Sequence, residues 1–283
     1  MRNISLRNWL IFIFFIAFSL RMIYMLVPHV NYFNDKMPVK FKAEEQISDD
    51  RTYTQLAYGV LKFGFPAKKD KFSMYAGFLY PYIVAVNLAF SNNLIYLFIL
   101  QIFLDSITAV LIALLAFRLS DSINMAVLAG LLYALYYPNF IFPARILTES
   151  IFTFLVVLAF YFLHTGLKKR GSADLYIFGA LLSVAALMKS MLFYVFFFLY
   201  FYLLFRAFVK KDVSKYVAGL IILFFIIQSP YYIVSYINTN KLIVGSSNGW
   251  YMILTGTYLP LKGDEPKDPE YDIFTDHPVG KVY

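Results

Sequence analysis

The chain alternates long apolar runs with short polar breaks. Runs near 9–27, 94–117, 123–138, 147–166, 173–188, 191–208 and 215–236 approach the roughly 20 apolar residues that a helix needs to cross a bilayer. This pattern predicts seven spans. With the N-terminus in the cytoplasm, Arg118, the run Lys168-Lys169-Arg170, and Arg206, Lys210, Lys211 and Lys215 all fall on the cytoplasmic side, as the positive-inside bias requires. The segment 74–91 is also apolar, but Gly77, Pro81 and Asn87 interrupt it. Counting it as a span would carry Lys168-Lys169-Arg170 outside. It is therefore predicted to be an interfacial or re-entrant segment. The first run has an Arg2/Arg7 flank like that of a signal peptide. Its apolar stretch is long and no small-residue cleavage site follows, so it reads as an uncleaved anchor.

Two regions then lie outside: the loop 28–93 and a tail from about 237. The expected organisation is a membrane domain over 1–237 and an external C-terminal tail over 238–283. Within the first loop, Tyr53, Leu56, Ala57, Val60 and Leu61 recur at helical spacing. That spacing predicts a short amphipathic helix lying on the membrane. The fold class expected is all-α, a polytopic transmembrane bundle with a long external first loop bearing short amphipathic helices.

Composition agrees with this reading. Of the 283 residues, 60% are hydrophobic, 20% aromatic and 15% charged, against about 25% charged in a soluble domain. The formal charge of +8 would raise nucleic acid as a partner in a soluble protein. Here the cations sit in short loops between spans, so no nucleic-acid face is expected. There is no cysteine, and the three histidines (His29, His164 and His277) are far apart. Neither disulfides nor a thiolate site can form, and no ligand spacing argues for a metal. A divalent metal stays open without support, and no other cofactor is implied. No Gly-rich nucleotide loop occurs.

Candidate chemistry starts at Asp49-Asp50, adjacent carboxylates just after the first span. Arg145, Glu149 and Lys189 map to the same external side. Arg21, in the first span, and Asp105, in the second, are charges at membrane depth and hence functional candidates or structural partners. Arg21 lies about two turns from the outer end and is within reach of snorkelling there; Asp105 reads as structural. A lipid-borne phosphate needs cations, and arginine suits it through paired donors. A hydroxyl or amine acceptor needs a carboxylate to take or orient its proton. In the tail, Ser246-Ser247-Asn248-Gly249-Trp250-Tyr251 reads as an ordinary turn or as the rim of a pocket.

The order of these pieces resembles the membrane-embedded GT-C glycosyltransferases that use polyprenyl-phosphate sugars, the superfamily of protein O-mannosyltransferases and lipid A aminoarabinose transferases. The carriers are Asp49 with Tyr53 four residues on, then Leu56-Ala57 and Gly64; Leu79-Tyr80-Pro81; the span Gln101 to Arg118; Arg145-Ile146-Leu147-Thr148-Glu149; and Asn248-Gly249-Trp250. The resemblance covers nearly the whole chain. It implies sugar transfer from a polyprenyl-phosphate donor to a lipid, glycan or protein acceptor at the external face of a prokaryotic plasma membrane.

It also implies an external acid as the catalytic group, assigned to Asp49 with Asp50 beside it. Arg145, Lys189 and Lys71 would hold the donor phosphate. Tyr53, Glu149, Tyr80 and Asn248 would position substrate. Two departures stand out: Ala76-Gly77-Phe78 replaces the basic residue and proline that often precede Leu-Tyr-Pro, and relatives usually run longer. The rival reading is a non-catalytic carrier, flippase or binding subunit for lipid-linked glycans.

Overall fold

The computed structural model describes residues 5–34, 48–68, 71–73, 77–91, 93–169, 173–210 and 214–242. They form an all-α bundle. In chain order the helices are α1 (Leu6–Asn34), α2 (Ser48–Phe63), α3 (Tyr80–Phe90), α4 (Ile95–Ser120), α5 (Ile123–Leu135), α6 (Pro138–Ile141), α7 (Glu149–Lys168), α8 (Ala173–Met188), α9 (Leu192–Lys210) and α10 (Ser214–Thr239). A two-stranded antiparallel hairpin, β1 (Ala67–Lys68) and β2 (Lys71–Phe72), follows α2. The chain is an integral, multi-pass membrane protein. Five helices are long and apolar enough to cross a membrane: α1 through Leu26, α4, α7, α9 and α10. Their outer faces carry large apolar side chains, such as Phe198, Phe205 and Phe208 on α9, as a lipid environment permits.

Two expected spans look different here. The run 123–138 is not one straight helix. α5 stops at Leu135, and the chain turns by 62° into the segment Pro138–Ala144. Tyr136 turns extended (φ −68°, ψ 117°) and ends α5, and Pro138, which lacks the amide hydrogen needed to continue α5, takes the first position of a new helix, where that hydrogen is not used. The run 173–188 forms α8, whose 16 residues make only about 24 Å of helix. The ambiguous segment yields α3, an 11-residue helix of about 16 Å, far short of a bilayer.

The amphipathic helix expected over Tyr53–Leu61 exists as α2, but its apolar stripe faces protein. Tyr53, Leu56 and Ala57 are buried and Leu61 is exposed. Tyr53 and Ala57 join a core with Tyr80, Val84 and Ala85 of α3, Leu97 and Ile102 of α4, and Ile146, Ile151 and Met188. α2 ends where Gly64 takes a φ of 80°, a left-handed position that lets its N–H close back on the Val60 carbonyl at 2.9 Å.

Arg21 does not snorkel. It is fully buried, and its Nε donates to Asp105 Oδ2 at 2.5 Å. Nη1 donates to the Ala17 and Ala134 carbonyls at 3.0 and 3.2 Å, and Tyr133 donates to Asp105 Oδ1 at 2.7 Å. One ion pair therefore joins α1, α4 and the end of α5, where the 62° turn begins.

Removing one partner strands the other charge in an apolar interior, at a cost of about 3–5 kcal/mol. Asp105→Leu or Arg21→Met is therefore expected to lower the thermal midpoint in detergent sharply. The double variant, which removes both charges, is expected to recover most of that loss.

Candidate active site

The site lies at one end of the bundle, where three separate segments converge. The first is the start of α2, with Asp49 exposed and Asp50 half-buried. The second is the stretch between α6 and α7. A 3₁₀ turn over Phe142–Ala144 ends at Arg145 in an extended conformation, and Glu149 opens α7, where the positive end of the helix dipole favours a carboxylate. The third is Lys189, just past α8.

Gly77 allows the third segment to meet the first. A side-chain carbon on residue 77 would lie 1.7 Å from the Met188 carbonyl oxygen, so only glycine lets the chain cross the end of α8 there. Two residues later, the Leu79 N–H donates to the Leu187 carbonyl at 3.0 Å, satisfying one of the carbonyls a helix leaves open at its C-terminus.

Two acid–base pairs form the site. Arg145 donates from Nε (3.0 Å) and Nη2 (2.5 Å) to Asp50 Oδ2, and the Ile146 N–H donates to Asp50 Oδ1 at 2.9 Å. Both carboxylate oxygens of Asp50 are thus engaged. Lys189 Nζ donates to Glu149 Oε1 at 2.6 Å and lies 5.3 Å from the centre of the Phe152 ring. Each pair is only partly buried. Among the described residues, Arg145 Nη1 carries no hydrogen bond, and neither does the Asp49 carboxylate.

Tyr53 sits between the pairs. Its hydroxyl is hydrogen-bonded with the Thr148 side chain and the Gly77 backbone, and Thr148 in turn donates to Glu149 Oε2 at 3.4 Å. Burial first, and then the nearby negative charges of Asp49 and Glu149, push the Tyr53 phenol well above its ordinary value, against the opposing hydrogen bonds. It stays protonated and acts as a hydrogen-bonding group.

The structure thus brings together Asp49, Asp50, Tyr53, Arg145, Glu149 and Lys189. Of the three other candidates, two fall elsewhere. Tyr80 is fully buried; its hydroxyl donates to Gln101 Oε1 at 2.7 Å and its ring packs edge-on against Tyr53. It supports Tyr53 from beneath and faces no open site. Lys71 is exposed on β2 opposite Lys68, and among the described residues it makes no hydrogen bond or ion pair. Asn248 lies outside the described residues. Sequence reasoning missed Gln101 and Thr148 as site residues. A lone glutamine in an apolar helix was the available signal for the first. Among the described residues no group of three or more His, Asp or Glu side chains could hold a metal ion.

The sequence profile of the dolichyl-phosphate-mannose-protein mannosyltransferase family matches residues 52–233. The chain belongs to this family. No curated protein and no solved structure matches it. The family is of the GT-C type, and its members are glycosyltransferases that draw sugar from polyprenyl-phosphate donors. The match contains Tyr53, Arg145, Glu149 and Lys189 and begins two residues after Asp50.

Desolvation raises the Asp50 carboxyl above its ordinary value. Its bonds to Arg145 and to the Ile146 N–H oppose the rise, and Asp49 adds to it. A folded value above the unfolded one means that Asp50 favours folding most below the ordinary carboxylate range. This contribution is lost as pH rises through the raised value. In Arg145→Gln the main opposing cation is gone, so the raised value climbs further. Denaturant titrations across a pH series are expected to show the upper edge of the Asp50 window moved upward in Arg145→Gln relative to wild type, with its lower edge unchanged.

Proposed function

We propose that the chain transfers a sugar from a polyprenyl-phosphate donor to a lipid, glycan or protein acceptor at the external face of the membrane. The observation that carries this reading is the unequal state of two adjacent carboxylates. Asp50 is neutralised by Arg145 and the Ile146 N–H, whereas Asp49 is exposed and unpaired among the described residues.

Asp49 is the general base. It takes the proton of the acceptor hydroxyl or amine as that atom attacks the anomeric carbon. The bond from the anomeric carbon to the phosphate oxygen breaks, and polyprenyl phosphate departs with the electron pair. Arg145 and Lys189 hold the phosphate and stabilise its growing charge. Arg145 has Nη1 still to offer, and Lys189 has two further donors. Asp50 orients Arg145, while Glu149 and Tyr53 place the sugar or acceptor. A single displacement inverts the anomeric configuration.

The distribution of cations supports the external placement. α7 runs from Glu149 at the site to Lys168 at the far end. Arg118 bonds to Thr165 and Arg206 to the Leu167 carbonyl at that far end, and Lys169 pairs with Asp174 there. Basic residues gather on cytoplasmic faces, which favours the reading with the acid-rich end outside and the N-terminus inside; the membrane we propose is a prokaryotic plasma membrane.

The test is transfer from radiolabelled polyprenyl-phosphate sugars in nanodiscs, with a membrane extract as acceptor. Asp49→Asn is expected to lose about 100- to 10,000-fold in turnover while keeping its thermal midpoint. Undiminished turnover in that variant removes Asp49 from the chemistry. Lipid binding without transfer in the wild-type chain makes it a carrier.

A further inference from the structure

Gln101 is fully buried on α4, one turn from Asp105 on the same helix. Its amide nitrogen donates to the Arg145 carbonyl at 2.8 Å and to the Pro143 carbonyl at 3.1 Å. Its amide oxygen accepts from the Tyr80 hydroxyl at 2.7 Å. The orientation of the amide follows from its partners: turned over, its oxygen would face two carbonyls. Two donations and one acceptance from one planar group are what glutamine supplies and glutamate, once ionised, does not.

These bonds close a circuit. From Gln101 the path runs through the Arg145 backbone and side chain to Asp50. Asp50 and Tyr53 lie three residues apart on α2, on one face of the helix. The Tyr53 ring meets the Tyr80 ring edge-on at 4.8 Å between centroids, and Tyr80 returns to Gln101. The extended residue at Arg145 makes no helical hydrogen bond through its carbonyl, and inside a membrane protein such a carbonyl needs a partner. Gln101 is that partner. Every other element of the circuit outside α4 belongs to a short helix or a turn, so Gln101 is its attachment to a long membrane helix.

We propose that Gln101 is a positioning residue for the phosphate-binding arginine, acting through the Arg145 backbone. This rests on the reading of Arg145 as a ligand of the donor phosphate. Without the amide, the Arg145 carbonyl loses its partner, the extended residue shifts, and the guanidinium no longer holds both Asp50 and a phosphate.

The experiment measures binding of polyprenyl phosphate without sugar to the full chain in nanodiscs, for wild type, Gln101→Leu, Arg145→Gln and the double variant. Tyr80→Phe is run as a milder variant that leaves both donations intact. Gln101→Leu is expected to weaken binding about tenfold or more, the scale of one lost hydrogen bond to a charged group. Tyr80→Phe is expected to weaken it less. In the Arg145→Gln background, Gln101→Leu is expected to add nothing, because the group it positions is gone. Additive losses in the double variant would mean that Gln101 acts through general stability, and would overturn the proposal. So would wild-type binding by Gln101→Leu when Arg145→Gln binds weakly. Wild-type binding by Arg145→Gln itself overturns the phosphate reading, and the role of Gln101 falls with it. Should Gln101→Leu fail to insert, Tyr80→Phe decides. A loss in it that vanishes in the Arg145→Gln background supports the circuit, and a loss that persists overturns it.

Discussion

The bond between Arg145 and Asp50 holds the site together. α2 is too polar to be buried in lipid, so its place on the bundle depends on what it touches. Its apolar stripe supplies the attraction, but a stripe of Tyr53, Leu56 and Ala57 specifies a face better than a position along that face. The guanidinium and the Ile146 N–H, both directed at one carboxylate, set the position. Directional, charge-assisted bonds locate a helix more sharply than apolar contact does.

That bond works only because the chain breaks before it. An unbroken helix through 123–144 would spend the Arg145 and Ile146 backbone groups on its own ladder. The 62° turn at Pro138 and the short 3₁₀ turn after it release Ile146 N–H toward Asp50 and the Arg145 carbonyl toward Gln101. Irregular backbone at membrane depth is tolerated where protein side chains satisfy it. Arg21 serves the start of the same break, with Nη1 on the Ala134 carbonyl. Two buried polar side chains thus flank the turn, Gln101 on the site side and Arg21 one helical turn deeper, by way of Asp105.

Much of this was legible in the sequence, and the rest was hidden for specific reasons. Apolar run length marked the five helices long enough to cross a membrane, but it showed neither the break in the run 123–138 nor the shortness of α8. The helical spacing of Tyr53, Leu56, Ala57, Val60 and Leu61 gave α2. The pairing of Asp50 with Arg145 was not readable, since the partners are 95 residues apart and no periodicity links them. Tyr80 was read as facing substrate because a tyrosine beside a proline at a helix start looks the same whether its ring is turned in or out. Burial decided it. The stripe on α2 was assigned to the lipid surface for a similar reason: apolar spacing announces that a face will be covered but does not say by what. Here the cover is α3, from the segment that the placement of Lys168-Lys169-Arg170 kept from being counted as a span.

The electrostatics of the cluster suggest why it carries an unequal number of charges. Asp49, Asp50 and Glu149 are three carboxylates against two cations, Arg145 and Lys189. Were the acids and bases matched, every carboxylate would be tied up and none would be left to take a proton. Were cations in excess, the carboxylate proposed as the base would be stabilised in its ionised form and weakened as a proton acceptor. With Asp50 and Glu149 each bonded to a cation, Asp49 is the carboxylate of the cluster left without one among the described residues. On the proposed reading, an arriving phosphate would compete with Asp50 and Glu149 for donors that those carboxylates already hold. Arg145 and Lys189 can meet that demand without releasing them, because each has donors to spare. The pairs therefore keep the cations in place before substrate arrives, and the geometry they impose is the part of the binding cost that folding has already met.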